Sequence, residues 1–360
     1  MMKRIAMLCL ALCLLFFTAC GEDEEIVDEY MPDSPEVELQ EGGQGDEENE
    51  PEEDELFGYI NPLTGMSTNV DFTGQRPFAV VVNNLREAMP QVGVSQADII
   101  YEIAVEGGVT RMVALFQDLY GIGEIGPVRS ARSYHIDIAE SHDALFIHAG
   151  GSEQAYSLIW GRGISNIDGV MGAGLEFYRD PERTFAGLEH SMMTTSELIL
   201  GNLDSYNFRR EHDFMFSHGL TFVPDGTPED GMRVDTINVW HSWFKNTLFE
   251  FNPRTGLYLI SQHDEPYMDA AIDEQVAVTN VLVLFTNVAV LDYEGRLAVD
   301  LTTAGHGYFI NGGYMVPILW SREDGESPFV YTLENGHPLE LGVGRSFINI
   351  IAVGNEVEFE

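Results

Sequence analysis

Cysteine is nearly missing from this sequence. The three residues present are Cys9, Cys13 and Cys20, so the 340 residues that follow have no thiol. That body can form no disulfide, use no thiolate nucleophile and hold no Cys-ligated metal. Lysine is almost as scarce: beyond Lys3 there is only Lys245, and every other base is arginine. Positive charge is short altogether, with 18 bases against 59 acids and a formal net charge of −41. Such a chain has no electrostatic footprint for nucleic acid and is repelled by anionic lipid surfaces. Long apolar runs are also missing. The longest opens the chain, from Ile5 to Phe17, too short for a comfortable membrane span.

That opening run follows Lys3-Arg4 and ends in Thr18-Ala19-Cys20-Gly21, a charged region, an apolar region and a small-residue cleavage site. Residues 1–19 are expected to be a signal peptide. The ending resembles a bacterial lipobox, which would make Cys20 the lipidated first residue of the mature protein. Phe17 departs from the Leu usual in that motif. From Glu22 to Glu55 there are 18 acids and no Lys or Arg. Like charges at this density repel and the apolar content cannot offset chain entropy, so 20–57 reads as a disordered tether. Removing leader and tether leaves 41 acids against 16 bases, about −25 on roughly 300 residues, enough for two cores. In so acidic a body, a local arginine cluster needs a reason.

Apolar runs at 78–82, 99–105, 109–116 and 144–148 predict strands, and Glu106-Gly107-Gly108 is short enough to make the middle two a hairpin. Alternation along that hairpin places Tyr101, Ile103 and Val105 on one face and Glu102 and Ala104 on the other. Ser130 is the expected cap of a helix over 131–141, Ser152 that of a helix over 153–160, and a further helix is expected over 195–203. Residues 225–232 have linker composition. Beyond them, short apolar runs separated by turn signals predict a β-rich module over 233–360. The expected architecture is an α/β or α+β first domain with a mixed sheet over 58–224, followed by that β-rich domain.

Gly126-Pro127-Val128-Arg129-Ser130-Ala131-Arg132 is the main chemical signal. Cations beside a helix start oppose the macrodipole by roughly 0.3–1 kcal/mol each, so something negative should lie between Arg129 and Arg132. It is either an internal carboxylate such as Glu102, Glu106, Asp137 or Asp180, or a bound phosphate, carboxylate or sulfate. Arg111 lies close by on the return strand. His148-Ala149-Gly150-Gly151-Ser152 presents a Gly-rich turn at a helix start, but the closing glycine of a nucleophile elbow is missing. Glu102 and Glu106 could pair as glycosidase carboxylates, with His148 and His190 as further acid/base candidates. The His135/Asp137 and His142/Asp143 spacings match no zinc signature, so neither metal nor cofactor is expected.

Arg76-Pro-Phe-Ala-Val-Val-Val-Asn-Asn84, Ser95-Gln-Ala-Asp-Ile-Ile-Tyr-Glu102, Glu106-Gly-Gly-Val-Thr-Arg111, the 126–132 segment and His148 to Ser152 together resemble the YerB-like lipoproteins of Gram-positive bacteria. The resemblance extends to Arg179-Asp180, His190, Asn280-Val281, Gly305-His306-Gly307 and Trp320, over about 60–355. It is looser in the second half, where Gly344-Arg345-Ser346-Phe347 departs from the family's Gly-Lys-Thr-Trp. It implies a cell-surface lipoprotein and no particular reaction.

The expectation is therefore an extracytoplasmic protein held to the membrane by a lipid anchor. It would bind an anionic small molecule or a cell-wall glycan through Arg111, Arg129 and Arg132. Gly150, Gly151, Ser152, Arg179 and Asp180 would flank that site. An envelope hydrolase using Glu102 or Glu106, and a non-catalytic scaffold for a protein partner, are the alternatives.

Overall fold

The computed structural model describes residues 58–172 and 174–360. The expected leader, the acidic tether and Cys20 lie outside the described residues. In chain order the principal strands are β1 (Phe78–Asn83), β2 (Ile99–Ala104), β3 (Thr110–Phe116), β4 (Leu145–His148) and β5 (Asn166–Asp168). After them come β6 (Thr236–Trp240), β7 (Asn246–Asn252), β8 (Leu257–Gln262), β9 (Asn280–Thr286), β10 (Ala304–Asn311) and β11 (Tyr314–Ser321). The last are β12 (Val330–Leu333), β13 (Ser346–Ala352) and β14 (Val357–Phe359). The helices are α1 (Ser133–Ser141), α2 (Glu153–Arg162) and α3 (Ser196–Asn202).

An eleven-stranded mixed sheet runs β11-β10-β9-β13-β2-β3-β1-β4-β5, with Met232–Arg233 and β12 also on β11. The near-continuous apolar runs Phe-Ala-Val-Val-Val and Met-Val-Ala-Leu-Phe become its central strands because both of their faces are covered. On one face, Ala79, Val81, Tyr101 and Val113 pack against Tyr134 and Ile138 of α1 and Ala155 and Ile159 of α2. On the other, Val80, Val82, Ile100 and Met112 meet Phe249, Ile260 and Tyr267 from a second sheet built on β8-β7-β6-β14. The fold class is thus a mixed α/β first half and a β-rich second half. The two halves are not strung on a linker alone: β13, near the carboxyl terminus, pairs in parallel with β2, Phe347 opposite Ile100.

The hairpin of β2 and β3 forms with Ile103 opposite Arg111. The helix expected to start after Ser130 begins later, with Arg132 at its N-cap. Ala131 is held extended instead: its N–H donates to the Gly150 carbonyl (2.8 Å) and its carbonyl accepts from Ser152 N–H (3.2 Å). That pairing captures Ala131, the residue which would have opened the helix. Ser152 does cap α2, its hydroxyl accepting from Ala155 N–H at 3.2 Å. Ser152→Ala should lower stability by about 1 kcal/mol, read as a shifted urea midpoint at unchanged slope.

Candidate functional site

Strands β1, β2, β4, β5, β9 and β13 all point one way, so their carboxyl ends share one edge of the sheet. In open α/β sheets that edge is where ligands bind. Asn83 ends β1, Glu106 follows β2, His148 ends β4 and Asp168 ends β5. The 128–131 segment passes along this edge between β1 and the turn after β4. Arg129 N–H donates to the Val81 carbonyl (2.8 Å), and its own carbonyl accepts from Ala149 N–H (3.0 Å).

Three guanidiniums gather there. Arg132 grips Glu106 with both arms, Nε to Oε1 at 2.5 Å and Nη2 to Oε2 at 2.8 Å. Arg111 is buried and donates to the Ser130 carbonyl at 2.6 Å. Among the described residues no carboxylate forms an ion pair with Arg111 or Arg129, and the buried Arg129 Nε has no partner. Burial, then the positive charges of Arg132 and Arg129, push the Arg111 guanidinium down to about 9. Burial also lowers Arg129, against the pull of Glu189. Burial would raise Glu106, but Arg132 holds its carboxyl below the ordinary range. Beside them His135 is fully buried. Its Nδ1 accepts from Arg132 N–H (3.1 Å), which leaves the proton on Nε2, and Nε2 has no partner. Burial, Arg111 and Arg132 keep the ring neutral, well below its usual value.

The turn after β4 is built from its own side chains. His148 Nδ1 lies 2.8 Å from the Gly150 carbonyl and its Nε2 3.2 Å from Asn166 Oδ1. Gly150 N–H donates to Asp168 Oδ1 at 2.7 Å, with Gly150 at φ +78°, a conformation that favours glycine. Tyr156 OH donates to the other Asp168 oxygen at 2.7 Å and lies against Gly151. His190 is buried beside the arginines, its Nδ1 3.0 Å from Asn83 Nδ2, and Glu189 next to it acts on Arg129. Arg179 adds charge to the same rim by acting on Glu189, while donating to the Leu188 carbonyl and, at 3.3 Å, to Ser191 Oγ. Asp180 is otherwise engaged: it caps the next turn and pairs with Arg183 at 3.2 Å.

Glu102 does not join this group. It projects from the opposite face of β2, toward the second sheet. Its Oε1 accepts from Thr110 Oγ1 (2.6 Å) and Asn84 Nδ2 (2.9 Å) and pairs with Lys245 Nζ (3.2 Å). Its Oε2 accepts from Thr247 Oγ1 (2.6 Å) and Gln262 Nε2 (3.0 Å), with His241 Nε2 at 3.6 Å. Burial would raise this carboxyl, but Lys245, His241 and the two threonine hydroxyls hold it down at about 2. Glu102 and Glu106 are therefore no carboxylate pair: Glu102 projects from β2 into the second sheet, while Glu106, in the turn beyond β2, meets Arg132. Asn83, Asp168 and Glu189 carry no chemical signal in the sequence, since each gains meaning only through partners distant in the chain, and His135 is weighed there only as a metal ligand.

Two family comparisons bear on this arrangement. Residues 63–209 match the family described as "Protein of unknown function (DUF3048) N-terminal domain", and residues 237–348 match its C-terminal domain. The chain belongs to this family. "Putative lipoprotein YerB" from Bacillus subtilis (strain 168) is 29% identical over 81% of this chain and 85% of its own length. The crystal structure of YerB from the same organism superposes with a TM-score of 0.73 at 25% identity, covering 83% of this chain and 99% of that one. Among the described residues no helix is long and apolar enough to cross a membrane.

Proposed function

We propose that this protein is an extracytoplasmic lipoprotein, anchored through Cys20, that binds an anionic or polyhydroxylated envelope ligand at the carboxyl edge of its main sheet. The observation that carries this reading is a charge imbalance: among the described residues only Arg132 of the three has an ion-paired carboxylate, Glu106, while Arg111 and Arg129 have none, in an otherwise acidic body. Desolvated cations repelling one another are costly, and an incoming phosphate or carboxylate relieves that cost. Arg129 Nε and His135 Nε2 are donors without partners beside the same cluster. The lipoprotein name of the Bacillus relative supports the anchored location.

A hydrolase using Glu102 or Glu106 as its general acid would need that carboxyl raised toward neutrality. Both are depressed instead, which favours ligand binding over that route. The discriminating variant is Arg129→Ala, because Arg129 is in no ion pair among the described residues and its loss should cost little stability. Retention on purified wall fragments is expected to fall ten- to hundredfold, as for one or two charge-assisted hydrogen bonds. Arg129→Ala combined with Arg132→Ala should abolish it. Unchanged retention with lowered stability would make the arginines structural.

A further inference from the structure

The rim of the arginine cluster is not polar. Val170 sits against Gly150, within 3.4 Å of where a β-carbon there would lie, and Ser130 Oγ is equally close to that point. Ser130 in turn carries the carbonyl that holds Arg111. Val170 is nevertheless 59% exposed. Tyr156, which touches Gly151, stacks on Trp160 with ring centroids 5.4 Å apart, and Trp160 is 69% exposed. Large apolar side chains left in water around a cation cluster mark a surface meant to be covered. Neither inorganic phosphate nor a bare sugar acid would cover them.

Building on the anion-binding reading above, we propose that the ligand is an amphiphile. Its anionic head, a phosphate or carboxylate, sits on Arg129, Arg132 and Arg111. Its aliphatic portion lies along Val170 and the Tyr156–Trp160 pair, which meet at Asp168: Val170 N–H and Tyr156 OH each donate to that carboxylate. The charge complementarity is local, since the rest of the surface repels anions. The occupant is therefore a single headgroup with its chain rather than an anionic membrane face. Trp160 stands two helical turns from Ser152, about 12 Å along α2, a span that a chain of roughly eight carbons matches.

The test uses the mature chain with Cys20→Ser to leave it unlipidated, titrated calorimetrically with octyl phosphate below its micelle concentration and with inorganic phosphate. Octyl phosphate is expected to bind at least tenfold tighter, the gain from covering on the order of 60 Å² of alkyl surface. It should also shift tryptophan emission to the blue, and Trp160→Phe should remove that shift. Val170→Ser with Trp160→Ser should erase the tenfold difference while inorganic phosphate binds as before. Arg129→Ala should weaken both ligands. Equal affinities in the parent chain would overturn the amphiphile while leaving the anion site standing. Octyl phosphate binding that survives Arg129→Ala with Arg132→Ala would overturn it too. Binding of neither compound would remove the anion site itself, and the amphiphile with it.

Discussion

Lys245→Met should cost about 3–5 kcal/mol of folding free energy, because it strands a buried carboxylate. Lys245 is the only lysine beyond Lys3, and it is buried between the two halves of the molecule. Its ammonium meets Glu102 at 3.2 Å and also donates to the Asn246 carbonyl (3.0 Å) and the Gln262 side chain. Glu102, Asn84 and Thr110 come from the first half; Lys245, Thr247 and Gln262 come from the second. The network therefore fastens β2 to the second sheet as well as filling the space between them. Lys245→Met with Glu102→Gln should recover most of the loss, since a neutral amide still accepts from Thr110 and Asn84. Urea denaturation reads both. A single variant within 1 kcal/mol of the parent would show that the ion pair contributes nothing net. The same group sets an acid limit. Its folded value, about 2, lies below the ordinary 4.5, so the contribution is complete above pH 4.5 or so and is lost as pH falls toward 2. Lys245→Met should flatten the slope within that window, because the charge that depresses the carboxyl is gone.

Much of the fold was legible beforehand. Continuous apolar runs bounded by Gly, Asn and Pro can only be covered strands, and β1 to β4 came out close to where periodicity put them. The Ser152 cap was readable for the same reason: a hydroxyl at a helix start satisfies a local donor three residues on. Local rules failed where a distant segment competed. Ser130 had the chemistry of a cap, but Gly150 and Ser152 bonded to Ala131 first. The arrangement of the halves was illegible too, since nothing in the run Ser346 to Ala352 says that it will lie beside β2.

The site was half legible for a similar reason. That arginines crowd near 129–132 in an acid-rich chain is a compositional fact. Which carboxylate answers them depends on the face that each strand residue takes. Glu102 and Glu106 are four positions apart, but Glu102 lies within β2 and Glu106 in the turn beyond it. One is drawn into the second sheet and the other onto Arg132. Period-two alternation placed Glu102 opposite Tyr101 correctly. It could not show that Lys245, 143 positions later, would meet it there.

Glu106→Gln separates an internal ion network from a ligand site most sharply. The Arg132–Glu106 pair is mostly buried, with side chains 14% and 21% exposed. Removing the carboxylate leaves three guanidiniums with no ion-paired counter-charge among the described residues, and should lower stability by about 2–3 kcal/mol in chloride buffer. If these residues exist only to hold one another, that loss will be the same in any salt of equal ionic strength. If the cluster receives an anion, Glu106 competes with it for Arg132. Phosphate should then bind the variant tighter than the parent and restore stability selectively. A tenfold gain in affinity corresponds to about 1.4 kcal/mol of extra stabilisation at saturating phosphate, visible as a rise in unfolding midpoint absent in matched chloride. Equal midpoints in the two salts would mean that the arginines answer only Glu106. The carboxyl edge of the sheet would then be a packed corner rather than a binding site.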